Sequence, residues 1–363
     1  MRAVTPMSDP FFTRGGLFFM LAVSLLCVIS PVLIEWSGAL SDYDRYGELP
    51  DIGYAFHAYE ITEATSAIDL LVIGSSTTMT GTDCLYLQDA LTAHLQRPAV
   101  VTCLVSNRRS EVVFSIFLND ILKRRKVRMV LLEEPRDIDR DREHPFTHYF
   151  WKPLEHGSLL RGMPLDIQLK YYGQAILGVP RHLLSLVRRN NIRATVQRLE
   201  PFIYYRGAPP HLVGFKSLLK NAPAAEFFEV SYTPPRVPLE RMIFRGESHP
   251  FFAFQGPPLS EIQIRGLRRM QELANAHGAL FAMLHYPLPY WEKHIRLRTY
   301  DPRRFDGYLT VVSVAPNDLY PDFTPTMLRE LWANESHPNW NGAQYDTRVF
   351  APAILELYDQ TQR

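Results

Sequence analysis

An excess of charge of either sign is missing from this chain. Lysine and arginine number 39, aspartate and glutamate 38, leaving a net +1 over 363 residues. Phosphate backbones favour a clearly basic face, so no nucleic-acid partner is expected. The densest basic run is Lys123, Arg124, Arg125, Lys126 and Arg128. It reads as a solvated helix end leading into a buried strand. Cysteine is scarce as well, with three residues in all. Cys27 lies in an apolar segment, which leaves only Cys84 and Cys103 able to pair in the soluble part. That is no disulfide framework and no CxxC metal site, and it fits either redox compartment. HExxH is also missing. His144 and His148 have helical spacing, but Pro145 stands between them, so neither a metal nor a cofactor is expected. Internal repeats and low-complexity tracts are absent.

Hydrophobic residues, by contrast, make up 46% of the chain, enough for a sizeable core. Leu17 to Ile34 runs 18 residues without a charge, with Trp36 just beyond. At about 1.5 Å per residue this spans about 27 Å, close to the hydrocarbon thickness of a bilayer. Arg2 and Arg14 precede the run; Glu35, Asp42, Asp44, Glu48 and Asp51 follow it. The positive-inside tendency predicts a cytoplasmic N-terminus over 1–16, a transmembrane helix over 17–36, and an extracytoplasmic remainder on an inner or plasma membrane. A cleaved signal peptide is the rival reading, with Ser37-Gly38-Ala39 as a small-residue site.

Beyond a polar and aromatic connector over 37–65, strand and helix patterns alternate. Asp69–Ile73, Ala99–Val105 and Val127–Leu132 read as buried strands, with helices over Leu85–Leu95 and Ser110–Lys123 between them. The rhythm lapses over 140–258, where ten prolines fall between Pro201 and Pro258. Proline removes ladder donors and breaks helices, so an irregular or partly helical insertion rather than sheet is predicted there. Helices within Leu165–Val187 would form a lid or a partner surface. The alternation returns over 259–363, with a helix over Glu261–His277, strands over Ala279–His285 and Leu309–Val314, and a closing helix over Gly342–Tyr358. The two parts, 66–139 and 259–363, predict one α/β domain: a three-layer, doubly wound parallel sheet of flavodoxin-like type.

Two short segments carry candidate chemistry. Gly74-Ser75-Ser76 directly follows the first strand, and His337-Pro338-Asn339 with Gly342 precedes the last helix. Ligands of open parallel sheets bind outside the carboxyl ends of the strands. A serine hydroxyl there becomes a useful nucleophile when a histidine takes its proton. Taken alone, Gly-Ser-Ser is a common turn with a helix cap, and a loop histidine is commonly structural.

LLVIGSS from Leu70 to Ser76, and Asn334-Glu335-Ser336-His337-Pro338-Asn339-Trp340-Asn341-Gly342, resemble the first and last blocks of the SGNH/GDSL hydrolase superfamily. The resemblance implies Ser76 as nucleophile, His337 as base and Asn334 as the residue orienting the ring. It implies an oxyanion hole from the Ser76 backbone and Asn107. Asn334 stands where the family usually has aspartate. Ser106-Asn107-Arg108-Arg109 lacks the family's second-block glycine, and Glu133-Glu134-Pro135-Arg136-Asp137 replaces its Gly-x-Asn. The G-x-S-x-G elbow of another hydrolase fold is not formed, because Thr78 takes its second glycine position. Glu134, Arg136 and Arg108 are candidate substrate-binding residues; ion pairs that merely satisfy their loops are the plainer reading.

The pattern is also similar to a membrane-tethered branch of that superfamily, typified by alginate O-acetylation proteins and the D-alanine transfer protein of teichoic acid synthesis. The resemblance implies a serine esterase or O-acyltransferase acting on an acylated surface glycan or polymer. A membrane-bound O-acyltransferase is the implied partner, and the bilayer is engaged through 17–36. The alternative is a catalytically degenerate scaffold or polymer-binding partner in such an assembly. A metal-dependent hydrolase is a third reading.

Overall fold

The protein is described by a computed structural model over residues 14–38, 57, 60–105, 110–134, 151–188, 232–245, 261–286, 309–334 and 337–361. The chain opens with α1, Arg14–Trp36. Over Gly15–Trp36 it is long and apolar enough to cross a membrane, a test that a signal sequence near the N-terminus also passes. Pro31 removes the N–H that would reach the Cys27 carbonyl. The Ser30 hydroxyl donates to that carbonyl instead, at 2.8 Å.

Then come β1 (Ile68–Gly74), α2 (Ser76–Gly81), α3 (Cys84–Leu95), β2 (Val101–Val105), α4 (Glu111–Leu122) and β3 (Val127–Glu133). After a stretch outside the described residues follow α5 (Pro153–His156), a 3-10 turn, and the long α6 (Leu165–Arg188). The chain closes with β4 (Ile243–Arg245), α7 (Glu261–Ala276), β5 (Leu280–Leu284), β6 (Thr310–Val312), α8 (Pro316–Leu319), α9 (Pro325–Leu331), the hairpin β7 (Trp332–Asn334) and β8 (His337–Pro338), and α10 (Trp340–Gln360).

Among the described residues, six strands make one sheet in the order β2-β1-β3-β5-β6-β4, parallel except for β4. All seven residues of β1 are buried, because apolar layers cover the sheet on both sides. Leu71, Ile73, Val130 and Leu132 pack with Phe117 of α4 and Met270 of α7. Leu70, Val72, Met129 and Leu131 pack with Leu91 of α3 and Phe350 of α10. The predicted α/β architecture with a mostly parallel sheet is therefore present. The Cys84–Cys103 disulfide ties the first residue of α3 to β2.

The structure departs from the sequence reading at β4 and at α2, among other short elements. The segment 140–258 was expected to hold no sheet, yet Ile243–Arg245 pairs antiparallel with β6. Three residues at a sheet edge need a partner on one side only, so the prolines nearby do not prevent it. The short helix α2 was not anticipated between the first strand and α3. It arises because Ser75 caps it, accepting the Thr77 N–H at 3.3 Å.

Candidate active site

The sheet order reverses direction at β1 and β3, so their carboxyl ends form the crevice where open α/β sheets bind ligands. At this edge β1 ends on Gly74, Ser75 caps α2, and Ser76 is its first residue. A first-turn N–H has no intrahelical acceptor, so the Ser76 N–H is free of its own helix.

From the neighbouring strand, Glu133 grips this turn. Its carboxylate accepts the Ser75 N–H at 2.6 Å, the Ser75 hydroxyl at 2.8 Å and the Thr78 hydroxyl at 2.5 Å. Glu133 is buried, and hydrogen bonds are stronger in the interior than in water. Side-chain alternation explains why Glu133 fills this role. It shares the face of Met129 and Leu131, on which Gly74 also lies. A Cβ at Gly74 would collide with the Thr78 side chain and approach Glu133 to 2.8 Å. Glycine is required there by that close approach.

The second half comes from the far end of the chain. The β7–β8 hairpin pairs Trp332 with Pro338 and Asn334 with His337. Asn339 caps α10, its side chain accepting the Gly342 N–H at 3.0 Å and donating to the Glu330 carbonyl at 2.7 Å. At Gly342 a Cβ would meet the Leu331 carbonyl. The Asn-x-x-Gly spacing thus lets the helix start tightly against the end of α9. The hairpin packs on α2 and delivers the ring: Ser76 Oγ and His337 Nε2 lie 2.8 Å apart across 261 residues of sequence. Both are partly exposed, while Ser75, Thr77 and Thr78 around them are buried. The pair is therefore open to a ligand and rests on a rigid floor. With its proton on Nδ1, the neutral imidazole accepts the serine hydroxyl at Nε2, the geometry of a nucleophile with its base.

Among the other residues singled out from sequence, Asn334 takes part in the hairpin through its backbone, and its side chain lies outside the described atoms. Asn107, Arg108 and Arg136 lie outside the described residues, as do His144 and His148. Glu134 is buried, and its carboxylate is hydrogen-bonded to Nδ1 of His285 at the end of β5. That contact makes it part of a buried pair at the same edge. Glu133, Ser75 and Thr78 were named in the sequence but given no role in the site. The available signal was an acidic residue directly after the apolar run Met129–Leu132. Asp120, Glu155 and His156 form the one cluster with metal-ligand spacing among the described residues. Lys123 and Lys152 ammonium groups already sit on Glu155 at 2.7 and 2.5 Å, supplying the positive charge there.

Comparison of the chain with protein-family models, curated proteins and solved structures finds no match.

Proposed function

We propose that this chain is a membrane-anchored, extracytoplasmic serine esterase or O-acyltransferase of SGNH type, acting on an acylated cell-surface glycan or polymer. The observation that carries the reading is the 2.8 Å contact between Ser76 Oγ and His337 Nε2 at the carboxyl edge of a parallel sheet. The strand order is consistent with a flavodoxin-like, doubly wound sheet: its five parallel strands run second, first, third, fourth, fifth. The Cys84–Cys103 disulfide favours an oxidising compartment. The apolar run Leu17–Ile34 of α1, with Arg2 and Arg14 before it and acidic residues after it, favours an anchor with the body outside.

In this mechanism Ser76 Oγ attacks the acyl carbonyl carbon as His337 Nε2 takes the hydroxyl proton. The tetrahedral oxyanion is held by the Ser76 N–H and a donor from the segment of Asn107. Collapse breaks the ester C–O bond, and His337 returns the proton to the departing alcohol. Water, or the hydroxyl of an acceptor, then repeats the attack on the acyl-serine and releases Ser76. Asn334 is assigned to orient the ring.

The test is covalent labelling of the full chain in detergent with a fluorophosphonate, read by mass spectrometry. One adduct on Ser76 is expected, lost in Ser76→Ala and strongly slowed in His337→Ala. A folded chain that takes no label at Ser76 would sink the enzymatic reading. It would favour a non-catalytic scaffold, a reading supported by Glu133 and Glu134 standing where the family carries Gly-x-Asn.

A further inference from the structure

α6 presents apolar side chains to the outside along most of its length. Leu165, Leu169, Leu177 and Leu184 are 69%, 61%, 65% and 55% exposed. At about 100° per residue these four fall within roughly a third of the helix circumference. The opposite side carries Tyr171 and Ala175, which are buried in the core of the α/β body. Scattered exposed leucines need no explanation, but four on one side of a single helix do.

The position of α6 says what covers the stripe. The helix packs against α1. Glu35, near the outer end of α1, accepts the N–H groups of Leu154 and Glu155 at 2.8 and 2.7 Å. The Tyr172 hydroxyl donates to the Val28 carbonyl at 2.7 Å. Val28 lies seven residues before Glu35, about 10 Å back along α1. The first turns of α6 therefore sit beside the outer third of α1, at the depth reached by interfacial amphipathic helices. Trp36, Leu154 and Leu33 extend the apolar surface across the junction, and all three are exposed. Exposed Asp166 and Lys170 border the stripe in its first two turns. Such a polar border suits a helix lying in the headgroup region rather than one crossing the bilayer.

We propose that α6 is a second membrane contact. Its leucine stripe lies in the outer leaflet beside α1, and the α/β body is held against the lipid surface in a fixed orientation instead of swinging on a tether. This rests on the reading of α1 as a membrane anchor. The bound partner is the lipid bilayer itself.

The experiment uses the full chain with Cys27→Ser, carrying a single added cysteine at Leu25, Leu169 or Leu177. Each is labelled with an environment-sensitive fluorophore and reconstituted into phosphatidylcholine–phosphatidylglycerol vesicles. The Cys84–Cys103 pair stays oxidised and unlabelled. Quenching by acyl-chain nitroxide lipids is compared with quenching by aqueous iodide. Labels at Leu169 and Leu177 are expected to be quenched several-fold more by the lipid nitroxide than by iodide, as at Leu25. A lipid-facing Leu25 with iodide-quenched Leu169 and Leu177 overturns the proposal and leaves the anchor standing. Shielding of both positions from both quenchers also overturns it, and points to cover by a second copy or by residues 189–231. An aqueous Leu25 means the anchor reading itself has failed, and the α6 contact with it.

Discussion

Gly74 and Glu133 end two neighbouring strands side by side, and the side chain that Gly74 lacks is the space that the Glu133 carboxylate and the Thr78 side chain share. The register that aligns Ile73 with Leu132 brings the next residue of each strand together on the same face of the sheet. Gly74→Ala is expected to destabilise the fold by about 1–3 kcal/mol, the usual cost of overpacking a filled interior. It should also abolish fluorophosphonate labelling, because Thr78 and Ser76 share one helix. Thermal melts alongside labelling rates check this. An alanine variant with unchanged melting and labelling would show that the turn has slack.

Glu133 should matter more for shape than for charge. In Glu133→Gln the amide oxygen still accepts hydrogen bonds, and a serine or threonine hydroxyl can turn to accept from the amide nitrogen. The expected result is a folded protein with slowed labelling at Ser76. Glu133→Ala strands three buried donors at about 1–3 kcal/mol each. It should melt well below the wild type and take little label. Equal labelling by both variants would mean that Glu133 does not position Ser76.

Much of this arrangement was legible in the sequence, and the parts that were not share a physical reason. The apolar runs Leu70–Ile73 of β1 and Met129–Leu132 of β3 announced strands buried on both faces, since a short continuous apolar run suits such a strand. The sequence reading starts the closing helix at Gly342, and the Asn339 cap places its start two residues earlier, at Trp340. Ile243–Arg245 gave no signal: a three-residue edge strand is specified by its partner β6 and not by its own pattern. Glu134 was singled out as a candidate while Glu133 was not: Glu133 ends β3 and Glu134 directly follows it. Only the phase of the alternation against Gly74 tells them apart, and that needs the register. The meeting of Ser76 with His337 followed from chain order plus the edge rule for parallel sheets, whereas the orientation of each side chain did not.

The disulfide gives a check that is independent of catalysis. Cys84 and Cys103 are 19 residues apart in sequence. Closing a loop of that size is worth about 3 kcal/mol by its effect on the unfolded chain. The Cys84→Ser, Cys103→Ser double variant should therefore melt several degrees lower, and dithiothreitol should lower the wild type to the same level. Thiol titration of the denatured chain should give one reactive group, Cys27, before reduction and three after. Three reactive groups before reduction would remove the main chemical support for an extracytoplasmic body.

Asp346 predicts how stability depends on pH. Its side chain is fully enclosed in α10. One carboxyl oxygen accepts the Tyr320 hydroxyl at 2.8 Å, and the other has no partner among the described residues. Burial raises its pKa from 3.8 to about 8, against the opposing pull of the Tyr320 hydrogen bond. The folded form thus holds a proton that the unfolded chain releases near pH 4. The stabilisation is complete below about pH 4 and is lost as pH rises toward 8, at roughly 1 kcal/mol per pH unit. Asp346→Asn keeps an acceptor for Tyr320 and cannot ionise. Its melting temperature should nearly match the wild type at pH 4, exceed it increasingly up to pH 8, and hold a constant lead above that. The Trp332 indole N–H donates to the Tyr320 hydroxyl at 3.2 Å, so this chain of bonds reaches the hairpin that carries His337. Ionisation of Asp346 above pH 8 should accordingly slow labelling at Ser76 in the wild type and spare Asp346→Asn. Parallel melting curves for the two proteins from pH 4 to 9 would mean that Asp346 ionises at the same pH folded and unfolded.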